Sequence, residues 1–312
     1  RSRNPVGNLL PGPVTSLRTS GKIRPSLYHF RRTYKYQLIF PRPQKENNID
    51  KASKLGNYST IMIRFFFDFL VSLIVWSISV IVAIPLFLIG LVIRLLTGLF
   101  DKRLFILHQY SCFWAGIYTF IHPFWRVKIT GRRNIRPGVA YVLVSNHQSL
   151  VDILVLYRLF KHFKWVSKAE LFKVPIFGWH MSVNRYIRLD REDMRSQFKM
   201  LKTAMKNIEE GNSIMLFPEG TRTEDGNLRR FKEGAFMIAK KTGAPIVPIV
   251  INGTFNAMPK NSLLMHNFTR MEVTILPEIT AEEVAAKDVK ELTAQAQSAI
   301  QANLKTVTTA GN

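Results

Sequence analysis

Two short stretches carry the residue types and spacings that could do chemistry. In Asn146-His147-Gln148-Ser149-Leu150-Val151-Asp152 a histidine directly follows an apolar run, and an aspartate stands five residues on, before an apolar segment that reaches about residue 160. Five positions is not a same-face helical spacing. A histidine in the turn and an aspartate in the first turn of the next helix, however, let the carboxylate fold back onto the imidazole, and strand ends are where α/β folds build sites. An imidazole of ordinary pKa, about 6.5, held in one tautomer by a carboxylate, suits a general base acting on a hydroxyl. Ser149 is a tempting nucleophile, but the Gly-x-Ser-x-Gly elbow of serine hydrolases is nowhere in the sequence. The competing reading is a capping Asp152 and a hydrogen-bonded loop His147.

The second stretch is Phe217-Pro218-Glu219-Gly220-Thr221-Arg222, again directly after an apolar run. Gly220 permits close backbone approach, Thr221 offers a hydroxyl and an amide, and Arg222 presents a planar fork that fits a phosphate. Arg229, Arg230 and Lys232 deepen the positive field. Glu219 would repel a phosphate and is assigned to orienting Arg222 or neighbouring backbone amides. A solvated basic loop with a Glu219–Arg222 pair is the alternative.

Strand-like and helix-like segments alternate around these stretches. Short apolar or β-branched runs at 139–144, 164–167, 185–189, 213–217, 245–251 and 271–276 have strand length. A helix is expected over 193–210, with Met194, Phe198, Leu201, Met205 and Ile208 on one face and Gly211 as its stop. Thr280 with Glu283 forms a capping box, and Val289, Leu292, Ala296, Ile300 and Leu304 continue a helical stripe. The alternation predicts an α/β domain over about 127–312 with a mixed, partly parallel sheet flanked by helices.

Upstream the composition changes. Residues 69–93 hold no Asp, Glu, Lys or Arg; as a helix they would extend about 37 Å, against a hydrocarbon core of about 30 Å. A second uncharged stretch, 104–125, is dense in aromatic residues with polar breaks, which suits a headgroup boundary. Together they predict a two-helix hydrophobic anchor over 62–126, spanning or half-buried. Residues 1–61 carry 12 Lys plus Arg against Glu46 and Asp50, and read as a basic leader unfolded on its own: a transit-like segment, or sequence upstream of a start at Met62.

The whole chain, 312 residues with 44 Lys plus Arg and 21 Asp plus Glu, has a formal net charge of +23 and is 47% hydrophobic. That excludes a mainly disordered chain and implies an anionic partner, nucleic acid or membrane. The hydrophobic stretches favour the membrane, and no nucleic-acid reading motif is present. One cysteine excludes an internal disulfide framework and a multi-cysteine zinc site, and the histidines form no spaced ligand cluster, so no metal is expected.

In order and spacing these stretches resemble the glycerolipid acyltransferases, especially the 1-acylglycerol-3-phosphate (lysophosphatidic acid) acyltransferases. The four matching blocks are Asn146-His147 through Asp152; Gly178 to Arg191, ending Arg188-Leu189-Asp190-Arg191; Phe217 to Arg222; and Ala244-Pro245-Ile246-Val247-Pro248. Phe231-Lys232-Glu233-Gly234-Ala235-Phe236 adds a fifth likeness. The resemblance covers roughly residues 127–260. It implies that His147, oriented by Asp152, deprotonates the free hydroxyl of lysophosphatidate, which attacks the thioester of acyl-CoA or acyl-carrier protein without a covalent enzyme intermediate or a cofactor. It further implies that Gly220, Thr221 and Arg222 hold the substrate phosphate, assisted by Arg188 or Arg191. Amides near the His147 turn, or Lys168, would serve the oxyanion, and Pro245 and Pro248 would shape an acyl pocket or strand end. The expected product is phosphatidic acid. The alternatives are another lyso-lipid acceptor, a lipid hydrolase, or a non-catalytic binder of anionic lipid. The expected location is a membrane with the site facing the cytosol, bacterial first and plastid second.

Overall fold

A computed structural model describes residues 48–305, with side chains from 58 onward. The chain divides into two units, Arg1–Leu55 and Gly56–Asn312. Of the first unit only the opening turns of a helix are described, so most of the expected leader, 1–47, lies outside the described residues. That helix, α1, runs Asn48–Thr97 through Pro85, so the boundary expected between leader and anchor at 61/62 falls inside one continuous element.

Seven strands form one mixed sheet: β1 (Arg126–Thr130), β2 (Val142–Ser145), β3 (Phe163–Lys168), β4 (Ile187–Leu189), β5 (Ser213–Leu216), β6 (Ile246–Asn252) and β7 (Arg270–Ile275), in the order β1-β7-β6-β2-β5-β3-β4. From β6 through β2, β5 and β3 to β4 every pairing is parallel; β7 runs antiparallel to β6, and β1 parallel to β7. Alternation along the strands feeds two cores. Leu143, Met215, Val247 and Ile249 face one side with Val151, Val155 and Cys112. Val142, Val144, Ile214, Leu216 and Ile246 face the other with Met200, Phe236, Leu292 and Ile300.

The first side is covered by α2 (Phe105–Ile121) and α3 (Val151–Tyr157), and the second by α5 (Met194–Glu209), α6 (Gly234–Thr242), α8 (Ala281–Ala286) and α9 (Val289–Asn303). The short α4 (Phe177–Val183) precedes β4, and α7 (Thr254–Ala257) follows β6. Asp193 caps α5 by accepting from the Arg195 and Ser196 amides. The Thr280 capping box forms as expected, and the stripe from Val289 to Leu304 packs on the core, but it belongs to a separate helix, because Asp288 and Glu291 make a second capping box that starts α9.

The two helices of the expected hydrophobic anchor differ in kind. Helix α2 belongs to the domain: Leu107, His108, Ser111, Cys112 and Trp114 are buried. His108 bonds the Tyr186 hydroxyl at 3.0 Å and the Lys161 carbonyl at 2.9 Å, and Ser111 Oγ lies 2.8 Å from His180 Nε2. A helix satisfied this way by the protein has no reason to leave it. Among the described residues one segment, Tyr58–Thr97 of α1, is long and apolar enough to cross a membrane.

Helix α1 docks through a narrow stripe. Asp68, Ser72, Val75, Ser79, Ala83, Leu86 and Gly90 are buried, while Phe65, Phe69, Leu73, Ile81, Ile84 and Leu88 face outward. The stripe follows the three-and-four spacing of a single helix face. Polar bonds fasten its near half. Asp68 accepts from His266 Nδ1 at 3.0 Å and from the Asn267 amide at 3.2 Å, Ser72 Oγ accepts from the Met265 amide at 2.8 Å, and Trp76 Nε1 donates to the Leu263 carbonyl at 2.9 Å. Further along, the Tyr118 and Tyr110 hydroxyls donate to the Ser79 and Leu86 carbonyls.

Candidate active site

Because β2, β5, β3 and β4 are parallel, their carboxyl ends share one edge, and the residues singled out in the sequence follow those ends. His147 comes two residues after β2 and Phe217–Arg222 directly after β5; Lys168 ends β3 and Arg188 lies in β4. The carboxyl edge of a parallel sheet is the standard place for a site.

The Asp152 carboxylate, fully buried in the first turn of α3, folds back as expected. Its Oδ2 lies 2.7 Å from His147 Nδ1 and also accepts from the Gln148 and Ser149 amides at 2.7 and 2.9 Å. A carboxylate pinned by two amides cannot swing away, so it holds Nδ1–H and leaves the Nε2 lone pair outward as a base. The imidazole also lies flat on Phe217, with ring centroids 3.9 Å apart and planes 8° from parallel, and Trp165 stacks behind Phe217 at 5.6 Å. Sequence reasoning missed this stack, although Phe217 opens the second chemical stretch at the neighbouring strand end.

The two stretches are joined through Glu219. Its Oε1 accepts from the His147 amide at 2.6 Å and its Oε2 from the Arg229 amide at 2.9 Å, while the Thr223 amide donates to the His147 carbonyl at 2.9 Å. Of the two expected roles for Glu219, orienting backbone amides is the one the structure holds. Burial pushes its carboxyl up to about 7, the two amides pull the other way, and the nearby Asp152 charge adds to the rise.

Gly220 adopts φ 76°, and a side chain there would come within 3.2 Å of Lys232 Cε and Nζ. The Lys232 amine therefore stands beside the bare turn. Thr221 and Arg222 are half-buried, and the Arg222 guanidinium has no hydrogen-bond or ion-pair partner among the described residues. A glycine turn beside two cations is a fit for a phosphate.

Other expected residues lie further off. Lys168 pairs with Glu170 at 2.9 Å, and β3 is two strands from β2, about 10 Å across the sheet. Arg188 stacks over Phe172 and donates to Ser182 Oγ at 3.0 Å, and half-buried Arg191 follows β4, one strand further out. The amides of the His147 turn, offered as oxyanion donors, are already taken: His147 N by Glu219, and Gln148 N and Ser149 N by Asp152. Pro248 is buried within β6 opposite Val144, and Pro245 sits at the amino end of that strand, the far edge from His147. Among the described residues no group of His, Cys, Asp and Glu is placed to hold a metal ion.

Ser149 is not the nucleophile its position suggested. Its buried hydroxyl donates to the Met258 carbonyl at 2.6 Å and accepts from the Val151 amide at 3.2 Å. Ser149→Ala is expected to keep turnover within a few-fold of the parent while lowering stability by about 1–3 kcal/mol, the range for an orphaned buried partner. Steady-state rates with a urea melt separate the two effects.

Comparison with known proteins gives this arrangement its relatives. Residues 126–252 match the family model described as Acyltransferase. The chain is 41% identical over 192 residues to a chloroplastic 1-acyl-sn-glycerol-3-phosphate acyltransferase of Brassica napus, covering 59% of this chain and 55% of that protein. It is 44% identical over 167 residues to one of Arabidopsis thaliana, covering 53% and 46%. The chain thus spans about half the length of these curated relatives. A crystal structure of the 1-acyl-sn-glycerophosphate (LPA) acyltransferase from Thermotoga maritima shares the fold, with TM-score 0.65 and 24% identity over 77% of this chain and 95% of that one. The matched segment begins at β1 and ends at the last residue of β6, taking in the strand ends that carry the His147 and Gly220 turns, so residues 126–252 are what this chain has in common with the acyltransferase family model.

Proposed function

We propose that the protein transfers an acyl chain from a thioester, acyl-CoA or acyl-carrier protein, to the sn-2 hydroxyl of 1-acylglycerol-3-phosphate, making phosphatidic acid for phospholipid synthesis. The observation that carries this reading is the 2.7 Å His147–Asp152 pair tied, through Glu219, to a turn bearing an unpaired Arg222. A base and a phosphate holder on one edge describe an acceptor that is both an alcohol and a phosphate ester.

The acceptor hydroxyl gives its proton to His147 Nε2 as its oxygen bonds to the thioester carbonyl carbon. Asp152 stabilises the imidazolium that forms. When the tetrahedral centre collapses, the C–S bond breaks and the thiolate leaves, taking the proton back from His147. Among the oxyanion donors considered, the turn amides are occupied, which leaves Lys168 once it releases Glu170. The Gly220–Arg222 turn with Lys232 anchors the phosphate, and Arg188 and Arg191 line the same edge further out.

Both acceptor and product are lipids, so the site must work at a bilayer. Helix α1 is fastened to the domain from Asp68 to Gly90, about 33 Å of its length, which supports a half-buried helix lying along the surface with its outward phenylalanines and leucines in lipid. The chloroplastic names of the two plant relatives favour a plastid membrane over the bacterial one.

The test is transfer from labelled acyl-CoA and acyl-carrier protein to lysophosphatidate in detergent micelles. Arg222→Ala is expected to raise the apparent KM for lysophosphatidate about tenfold or more, as loss of a charged hydrogen bond of about 1.5–3 kcal/mol implies, with a smaller change in kcat. An unchanged acceptor KM would remove the phosphate role from Arg222, and absence of transfer from either donor by folded protein would overturn the reading.

A further inference from the structure

A second cationic site lies at the opposite edge of the sheet, where the parallel strands begin. A cavity of about 460 Å³ is walled by Arg94, Lys102, Arg103 and Arg185, with Asp101 and Glu210. The two acids are already engaged. Asp101 accepts from the Phe105 and Ile106 amides at the start of α2, and Glu210 faces Lys206 at 3.9 Å. Arg103 is also partly engaged, bonding Asn212 Oδ1 at 3.1 Å and the Gly211 carbonyl. The side chains of Arg94, Lys102 and Arg185 have no hydrogen-bond or ion-pair partner among the described residues.

Three unpaired cations around one opening repel one another, a cost that a bound anion removes. Buried Lys164 stands behind them, donating to the Arg103 and Asn184 carbonyls. Burial, and then the Arg185 and Arg103 charges, lower its pKa to about 8, while Asp101 and Glu210 pull the other way. Arg185 sits in the left-handed region at φ 54°, an arrangement that costs a non-glycine residue about 1 kcal/mol or more.

The surroundings say which anion. Leu95, Leu96, Leu99 and Phe100 stand between Arg94 and Lys102 in the chain and are 68 to 92% exposed. Apolar side chains this open beside unpaired cations mark a headgroup level, with tails on one side and phosphates on the other. The cavity is separated from His147 by the length of the strands, so it is not the substrate turn.

We propose that Arg94, Lys102 and Arg185 hold the phosphate of an anionic membrane phospholipid, pinning the far end of α1 to the bilayer. The site stands whether or not lysophosphatidate is the acceptor. It is tested on the full chain in neutral detergent by native mass spectrometry with added phosphatidylglycerol or phosphatidylcholine. The parent is expected to retain phosphatidylglycerol in preference to phosphatidylcholine, and Arg94→Gln/Lys102→Gln/Arg185→Gln to bind it about tenfold or more weaker. The equal charge loss of Lys199→Gln/Lys202→Gln/Lys290→Gln on exposed helix faces should leave retention within about twofold. Lys102→Glu, a single exposed change, gives the same test if the triple variant folds poorly. Equal weakening in both triple variants, loss of the lipid in Arg222→Ala but not in the cavity variants, or displacement by inorganic phosphate at the lipid's own concentration would overturn the proposal.

Discussion

His147→Ala is expected to lower kcat by about 10³-fold, within the span of about 10²–10⁴ that a positioned general base contributes, while the protein stays folded. Two of the bonds at this position run through the backbone. The His147 amide donates to Glu219 and its carbonyl accepts from Thr223, and alanine keeps both. What goes is the ring, with its bond to Asp152 and its stack on Phe217, while Asp152 keeps the Gln148 and Ser149 amides. Asp152→Asn should follow, because an amide oxygen placed where Oδ2 stands can still accept from Gln148 and Ser149 but brings no charge to stabilise an imidazolium. A loss of about 10²-fold or more with an unchanged circular-dichroism spectrum is the expected outcome. Turnover by His147→Ala within tenfold of the parent would remove the base from the scheme.

Glu219→Gln should be the most damaging change that touches no reacting atom. Glu219 uses both oxygens to accept amide hydrogens from two different turns, and glutamine replaces one acceptor with an NH2 that meets a backbone N–H head-on. An unsatisfied buried donor costs about 1–3 kcal/mol, and since one of the two amides is that of His147, turnover should fall about 10²-fold as the base loses its seat. The variant also has a pH signature. Because burial raises the carboxyl from 4.5 to about 7, the folded protein holds a proton between those values that the unfolded chain has released. Folding stability from this group is therefore greatest below about 4.5, declines as pH rises across the window, and levels off above about 7. Urea midpoints taken across that window should lose this downward component in Glu219→Gln. An identical slope in parent and variant would show that Glu219 does not titrate there.

Much of this was legible in the sequence where local pattern and tertiary fate coincide. The β-branched runs became β2 through β7, and the helix expected over 193–210 became Met194–Glu209, but its inward face is Met200, Ala204 and Ile208 with Leu201 and Met205 packed beside them, while Met194 and Phe198, expected on that face, are exposed. Strand β1 was not legible. Arg-Val-Lys-Ile-Thr alternates in exposure and becomes a strand through pairing with β7, whose partner residues lie 144 positions away at Arg270–Thr274. The fate of α2 was hidden for a related reason. An uncharged aromatic stretch has the same composition in a lipid interface and in a core, and what decides is the fit of His108 to Tyr186 and Lys161, far apart in the chain. Within the site, residue types pointed to the contact between His147 and Asp152 and to the bare turn at Gly220. The occupation of the His147-turn amides by Asp152 and Glu219, and the stacked Phe217, depend on how two strand ends meet.

The segment after α7 ties two distant functions together. Its first carbonyl, at Met258, takes the Ser149 hydroxyl two residues from His147, while Leu263, Met265, His266 and Asn267 are spent on Trp76, Ser72 and Asp68 of α1. A water-soluble version of this protein therefore cannot be obtained by trimming the greasy helix. The cut would bare Asp68's and Ser72's hydrogen-bonding partners, loosen the loop that braces the catalytic turn, and yield a protein that dissolves and no longer works. Recombinant preparations should keep α1 and supply a detergent or nanodisc, and replacing its outward phenylalanines and leucines with polar residues, leaving the inward stripe untouched, is the safer route to solubility.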